Sequence, residues 1–392
     1  MKWKILLLPG FFQVLSTLLL SATDPQSMWA MDAGDTRLEG AGYKPAPGVE
    51  TYPVYLAESG IGTYHHHSFL FHHDGVFYAA FSEGHDGEDG PGQRVRVATS
   101  SNGKDWDHSA LAVEAFDDYS RSWKEAGRMS TPMGWWVTGD GRVWVVSDVS
   151  EVIGFATRSN REKVVSPVKK PGLQRVRKFI GNFAAEVKPD GSIGERVWLM
   201  DDPPEFPDLP VSRHYPGLSD PRFAPVRESL REASRQMETP VGPREMMKNT
   251  RVAADGHLLT EHTLYQKKDG RWVQLARDLN YSHRLYYSVS EDGRSFSTPV
   301  QTNIPDSPSN TISGTLPDGR IYIIGNLVHN PEEDATRRHY KRYPLVIALS
   351  GDGCIFDRAY AIRAKPTRPR LDVGGASDGY QYPGAVVVGN YL

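Results

Sequence analysis

Ser100-Ser101-Asn102-Gly103-Lys104-Asp105-Trp106 is a seven-residue phrase that the chain writes twice more. It returns as Ser290-Glu291-Asp292-Gly293-Arg294-Ser295-Phe296 and as Ser350-Gly351-Asp352-Gly353-Cys354-Ile355-Phe356. Each copy has the form Ser-x-(Asp/Asn)-Gly-x-x-(Trp/Phe) and follows an apolar or alternating run: Val95 to Ala98, Leu285 to Val289, Leu345 to Leu349. Asp-Gly or Asn-Gly behind such a run marks a hairpin turn, because the turn needs residues that tolerate positive φ. The closing aromatic is placed to fold back over the turn. One hairpin unit recurring along a chain predicts a repeat architecture, with repeats of about 45–60 residues and irregular insertions.

Working outward, the same punctuation fills the chain. Phe69 to Phe71, Asp74-Gly75 and Val76 to Phe81 predict one hairpin, and Trp135 to Val137, Asp140-Gly141 and Val143 to Val146 another. Asp190-Gly191, Asp255-Gly256, Asp269-Gly270 and Asp318-Gly319 mark further turns between apolar runs. Helical periodicity is confined to about Pro225 to Met237, where Val226, Leu230 and Ala233 share a face inside a Pro-rich insertion from Pro203 to Pro243. Such an insertion is expected on the rim of a binding face.

With 392 residues, 39% of them hydrophobic, 24% charged and a formal net charge of −3, the chain is long enough for a large core and gives no support for nucleic acid as partner. Its one cysteine, Cys354, excludes an intrachain disulfide framework and reads as a structural thiol. Lys2 and Lys4, the mostly apolar Ile5 to Leu20 and small Ser21-Ala22 form a secretory signal over residues 1–22, with an uncleaved anchor as the alternative. The protein is expected to be secreted or periplasmic. Residues 23–50 read as a linker and 51–392 as the repeat domain. Ala385 to Leu392 predict a hairpin broken off at its second strand, so either the domain is truncated or an N-terminal strand completes it. No later stretch is apolar enough to span a membrane, and no stable membrane partner is expected.

The densest chemistry lies in Tyr64-His65-His66-His67-Ser68 and in the segment Ser82 to Val95, which contains His85. A hairpin returns His85 toward the histidine triplet. A histidine there can act as a base near neutral pH, and a buried, hydrogen-bonded ring is the plain alternative. Zinc lacks an H-E-x-x-H or Cys spacing in its favour. The acidic run Glu83, Asp86, Glu88, Asp89 lacks the full spacing of a calcium loop and reads as solvated. No cofactor is expected, with a structural divalent metal left open. Arg94, Arg158, Arg284 and Arg342 stand near strand ends, and their planar guanidinium forks suit a sugar carboxylate. Trp135 and Trp136 offer stacking surface or core.

The repeated phrase resembles the Asp-box turn of the sialidase-like β-propellers. Asp306-Ser307-Pro308-Ser309-Asn310 and the run from Gly314 to Asn326 are similar to the late blades of secreted members. The resemblance implies an all-β propeller, and about 340 residues from Thr51 at roughly 45–50 per blade give seven blades. The His66-His67 pair and Glu88 to Val95 resemble the ulvan lyases and related rhamnosyl-glucuronate enzymes. A true sialidase carries three carboxylate-binding arginines, the first in a Phe/Tyr-Arg-Ile-Pro motif before the first Asp box. This chain has no arginine between Arg37 and Arg94.

The lyase resemblance implies His66 or His67 as base, His85 as a second histidine and Arg158 or Arg94 as the cation on a uronate carboxylate. The partner tyrosine has no match between Tyr119 and Tyr215; Tyr265, Tyr286 or Tyr287 are substitutes from other blades. The expected function is cleavage of a linkage to a uronic acid in an acidic polysaccharide or glycan, by elimination or hydrolysis. A non-catalytic glycan-binding propeller is the first alternative and an exo-sialidase the second.

Overall fold

In each repeated phrase the third residue ties the turn together. Asp292 Oδ1 accepts from Ser290 Oγ and from the backbone N–H of Arg294 and Ser295, each at 2.8 Å. Asp352 Oδ1 does the same for Ser350, Cys354 and Ile355, and Asn102 Oδ1 for Ser100, Lys104 and Asp105. Gly103, Gly293 and Gly353 have φ of 72°, 70° and 77°, a conformation that costs glycine nothing. Cys354 is half-buried within the third turn.

The computed structural model describes residues 27–32, 34–35, 38–56, 62–157, 163–237, 251–329, 342–365, 380 and 382–392. A short strand, β1 (Gly34–Asp35), precedes the first sheet, which runs β2 (Tyr64–His73), β3 (Val76–Gly84), β4 (Arg94–Ser100) and β5 (Asp107–Val113). The second sheet is β6 (Gly127–Val137), β7 (Val143–Thr157), β8 (Leu173–Val187) and β9 (Ile193–Trp198). Helix α1 (Arg227–Met237) follows. The third sheet is β10 (Arg251–Val252), β11 (Leu258–Gln266), β12 (Trp272–Asp278), β13 (Arg284–Ser290) and β14 (Val300–Pro305). Then come β15 (Ile312–Thr315), β16 (Ile321–Gly325), β17 (Val328–His329), β18 (Leu345–Ser350) and β19 (Phe356–Arg363); β15, β16, β18 and β19 make the fourth sheet, and β17 pairs with β1.

The β1–β17 pair is parallel, while each of the four larger sheets is antiparallel throughout and forms a propeller blade, with the repeated turns closing the outer hairpins of the first, third and fourth. Seven blades were expected; the described residues form four. The division failed because β7 and β8 take 15 residues each and because the stretch after Trp198 builds a 3-10 and α-helical insertion instead of strands. That insertion is where the helical periodicity predicts it. Val226, Leu230 and Ala233 are buried against Trp144, Val146 and Val197 of the second blade.

Strands at mid-blade are covered on both faces and read as unbroken apolar runs, such as Val143 to Val146. One core fills the space between the first and second blades around Tyr78, Phe116, Phe183 and Trp198. Another joins the third and fourth around Leu275, Ile304, Ile323 and Phe356. Met28, Trp29, Gly34, Asp35, Tyr43 and Pro45, read from sequence as part of a linker, instead pack on the domain. Met28 and Trp29 are buried in that second core, and the Asn303 side chain accepts from and donates to the Trp29 backbone. Among the described residues no helix is long and apolar enough to cross a membrane.

If the Asp-box acceptor holds the turn, Asp352→Ala should cost about 1–3 kcal/mol in urea unfolding. Gly351→Ala, where an added Cβ meets nothing within 4 Å, should stay within about 0.5 kcal/mol. Equal losses would show that the side-chain bonds do not carry the turn.

Candidate active site

Successive side chains on a strand point to opposite faces, so His66 and His67 should part company. They do not, because β2 carries a register shift between His66 and Phe69 and His67 sits at φ 52°. The bulge re-aims His67, and the two rings lie edge to face with centroids 4.2 Å apart. Both meet one carboxylate. Glu88 Oε1 is 3.3 Å from His66 Nδ1 and 3.4 Å from His67 Nε2. Burial opposes the charge on Glu88, yet the two histidines hold its carboxyl well below the usual range. Burial and the neighbouring His67 push the His66 imidazole below its ordinary value.

The same device recurs on the third blade. β11 shifts register between Thr260 and His262, and the residue between them, Glu261, has φ 51°. Glu261 is thereby turned to Arg277 on β12, whose Nη1 lies 2.7 Å from Glu261 Oε2. Tyr382, itself at φ 58°, donates its phenol proton to the other Glu261 oxygen and accepts from Arg277 Nη1 at 3.3 Å. Burial opposes the charge on Glu261, and Arg277 with the Tyr382 bond keeps its carboxyl below the ordinary value. Burial, then the Glu261 charge, keeps the Tyr382 phenol protonated well above its ordinary range.

Tyr382 is the link between the two clusters, its ring centroid 4.2 Å from that of His66. His67, Asp89, Glu261 and Tyr382 are four of the eight non-glycine residues at positive φ among the described residues. Strain of roughly 1–3 kcal/mol per residue persists only where the surroundings over-determine it, and it gathers at functional sites.

Two further groups face this centre. Asp306, after β14, is fully buried, and neither carboxylate oxygen has a hydrogen-bond partner among the described residues. Burial raises its carboxyl to about 7 against the pull of Arg277 and Arg342. Beyond the Glu88-Asp89 loop lies a pocket of about 550 Å³ walled by Trp123, Lys124, Lys169, Lys170, Arg175 and Arg177. Lys169 Nζ lies 4.3 Å over the Trp123 ring, and burial together with Arg175 lowers its ammonium to about 8. Arg177 binds the Asp89 carboxylate, and Arg175 Nη2 donates to the Glu88 carbonyl at 2.7 Å. The acidic loop fits this closely only as glycine: a Cβ at Gly87 or Gly90 would stand 2.4 Å or 2.6 Å from Trp123 atoms.

The residues singled out from sequence divide. His66 and His67 stand in the centre. Arg342 acts electrostatically on Glu261, Asp306 and Tyr382, and its buried Nε has no hydrogen-bond partner among the described residues. Arg284 is half-buried opposite Pro305, next to Asp306 in the chain. His85 turns to the other side, its ring edge-on to Tyr119. Arg94 binds buried Glu83 through Nε at 2.8 Å and through Nη2, alongside Arg96, His65 and Tyr119, so its charge is spent inside the first blade. Arg158 lies outside the described residues. The acidic run is not a solvated strip, since Asp86 also has partners in Ser122 and the Trp123 N–H.

Trp135 and Trp136 are core, donating to the Phe69 carbonyl and to Ser229. Of the substitute tyrosines, Tyr265 donates to the Gly353 carbonyl and Tyr286 to Asp255, both away from the histidines. Sequence reading missed Tyr382, Glu261, Arg277, Asp306 and Trp123. The signal for Glu261 was a lone acid in the strand-like run Leu258 to Gln266.

Glu83→Gln leaves two guanidinium groups without a buried counter-charge, and about 3–5 kcal/mol of stability should be lost in urea unfolding. Asp306 gives a pH signature. Its folded value of about 7 exceeds the ordinary 3.8, so its contribution to stability is complete below about pH 4 and is lost as pH rises through 7. Asp306→Asn should flatten the stability profile across that window in melting curves at stepped pH; an unchanged slope would contradict the raised value.

Comparison with known proteins agrees with the fold. Residues 242–392 match the family model described as BNR repeat-like domain. A solved structure named Sialidase superposes with TM-score 0.62 at 18% identity, over 94% of this chain and 33% of that one, so this chain spans about a third of its length. A mutant NanB sialidase from Streptococcus pneumoniae (TM-score 0.43, 11% identity, 80% of this chain and 63% of that one) is more distant. So is the intramolecular trans-sialidase from Ruminococcus gnavus with oseltamivir carboxylate (TM-score 0.43, 11% identity, 81% and 88%). No curated protein matches the sequence. Nothing in these matches singles out the ulvan lyases. With its repeated turns and its four antiparallel sheets, the chain has a sialidase-like β-propeller fold whose residues 242–392 match a BNR repeat-like domain.

Proposed function

We propose that the protein is a glycosidase acting on a carboxylate-bearing sugar of an acidic glycan, with Tyr382 as nucleophile and Glu261 as its base. The observation that carries this is the Tyr382–Glu261 hydrogen bond with Arg277 on the phenol oxygen. Sialidases use a tyrosine where most glycosidases use a carboxylate. The physical reason is charge: a carboxylate nucleophile would repel the sugar's own carboxylate, whereas a phenol stays neutral until it reacts. As Tyr382 Oη bonds to the anomeric carbon, its proton passes to Glu261, and the bond to the leaving oxygen breaks as that oxygen takes a proton from water. Water then attacks the anomeric carbon, the bond to Tyr382 Oη breaks, Glu261 returns its proton to the phenol, and the proton lost by the attacking water balances the one taken from solvent in the first step.

Arg342 is the candidate cation for the sugar carboxylate. The Trp123 pocket, with its lysines and arginines, is suited to further acidic units of a polymer. A uronate or a sialic acid would satisfy this arrangement. Export to the periplasm or beyond, where such glycans occur, is part of the same reading.

One observation favours a second reading, β-elimination on a uronate. The tyrosine that the lyase resemblance asks for beside the histidine is supplied by Tyr382, stacked edge-on against His66. Hydrolysis is preferred because Tyr382 already has its base in Glu261.

The test uses aryl sialosides, aryl glucuronides and ulvan, reading released aglycone, free sugar and the ultraviolet absorbance of unsaturated uronate. Tyr382→Phe should lower kcat by about 10³-fold or more with the fold intact. A fluorinated substrate analogue should add its sugar mass to the peptide containing Tyr382. Unsaturated product would move the assignment to elimination. Binding of these glycans with no product from any substrate would leave a binding module.

A further inference from the structure

The His66–His67–Glu88 cluster contains an unmet requirement that the glycosidase reading does not use. Ser82 has a single hydroxyl proton, and it donates that proton to the His66 carbonyl at 2.9 Å. The contact of Ser82 Oγ with His67 Nδ1 at 3.0 Å must therefore have the ring N–H as donor. Neutral His67 then carries its lone pair on Nε2, and Nε2 faces Glu88 Oε1, another lone pair, at 3.4 Å. His66 has no ring hydrogen bond that fixes its tautomer, so its Nδ1 is open to act as a ligand. Its side chain is 7% exposed, and neither ring nitrogen makes a hydrogen bond although Nδ1 lies 3.3 Å from the same oxygen. With the His66 proton on Nε2, three electron-pair donors converge with nothing between them to accept.

We propose that His66, His67 and Glu88 bind one divalent transition-metal ion, with zinc the best fit. Their ligand atoms all lie within 4.8 Å of one another. Tetrahedral zinc with bonds of about 2.0–2.1 Å needs ligand atoms about 3.3–3.4 Å apart. The nitrogen–oxygen separations of 3.3 and 3.4 Å meet that requirement. Two histidines and a glutamate with an open fourth position form a ligand set that zinc enzymes use. Ser82 completes the arrangement from behind, fixing the tautomer of His67 as an outer partner of a metal-bound imidazole does.

The bulge at His67 also acquires a purpose, because only a broken alternation lets adjacent strand residues serve one ion. The ion would bring positive charge to the first blade, which supplies no free arginine of the kind sialidases use. Metal binding does not depend on the glycosidase reading, since the titration below reads the ion and not turnover.

The experiment strips the full-length protein with a chelator and titrates it with Co²⁺, read by visible absorption, then with Zn²⁺ in competition. One Co²⁺ per chain is expected, with the intense bands of four-coordinate geometry, displaced by Zn²⁺. Glu88→Gln and His67→Ala should weaken binding by about 100-fold or more. Ser82→Ala, with its ligands intact, should weaken it about 10–100-fold. Tyr382→Phe, which removes no ligand, should bind as tightly as the parent. Circular dichroism checks the fold of each variant, and Ser82→Ala keeps the test open if a ligand variant fails to fold. Absence of Co²⁺ and Zn²⁺ binding by the folded parent protein, or equal binding by folded Glu88→Gln, would overturn the proposal and leave a proton-shared histidine–carboxylate pair.

Discussion

An extended strand must turn neighbouring side chains to opposite faces, and the centre of this propeller depends on two places where that rule is broken. At His67 and at Glu261 the inner strands of the first and third blades slip register and take positive φ. Without the first slip His67 would face away from Glu88; without the second, Glu261 would not meet Tyr382. The backbone strain is small beside the electrostatic contacts it permits, and those contacts hold the bulges in place. Structure and site are therefore mutually dependent, each bulge being stabilised by the partners it exposes.

Charge organisation explains why so many ionisable groups can be buried together. Glu83 is matched by Arg94 and Arg96, Asp89 by Arg177, Glu88 by two imidazoles, and Glu261 by Arg277. Desolvating any of these carboxylates alone would cost several kcal/mol or force a proton onto it. Asp306 is the counter-example, with no hydrogen-bond partner among the described residues and a carboxyl raised to about 7. The pairing separates scaffold from site. Arg94 and Arg96 are committed to Glu83 inside the first blade, while Arg277 and Arg177 hold the carboxylates of the centre and of its acidic loop.

Chemistry at the centre draws on every blade. The first gives the histidines and Glu88, the second Arg177 on its long strand, the third Glu261, Arg277 and Asp306, and the fourth Arg342. The segment carrying Tyr382 then crosses back between them. Radial symmetry brings inner strands to one axis, so residues hundreds of positions apart become neighbours without long loops. A phenol beside a carboxylate, next to cations and a histidine pair, is an arrangement suited to an anionic sugar.

The turns were legible from sequence because their bonds are local. An acceptor at the third position binds donors two or three residues away, so Asn102, Asp292 and Asp352 announce their geometry in seven letters. The helix was legible for the same reason, its face spaced by three and four residues. Blade number was not, since strand length and insertions follow from packing between sheets. The His66-His67 pair was visible, but nothing in the letters told Arg94 from Arg342. Identical side chains differ only in which carboxylate the fold brings to them.

Tyr382 was beyond reach: its partners, Glu261 and His66, lie 121 and more than 300 positions away, and its positive φ belongs to no residue type. The sequence by itself determined the hairpins, the repeat and the superfamily's turn, because those rest on short-range hydrogen bonds. The tertiary structure alone decided which charges are spent and which are free, because buried electrostatics depend on distance in space and not on distance along the chain.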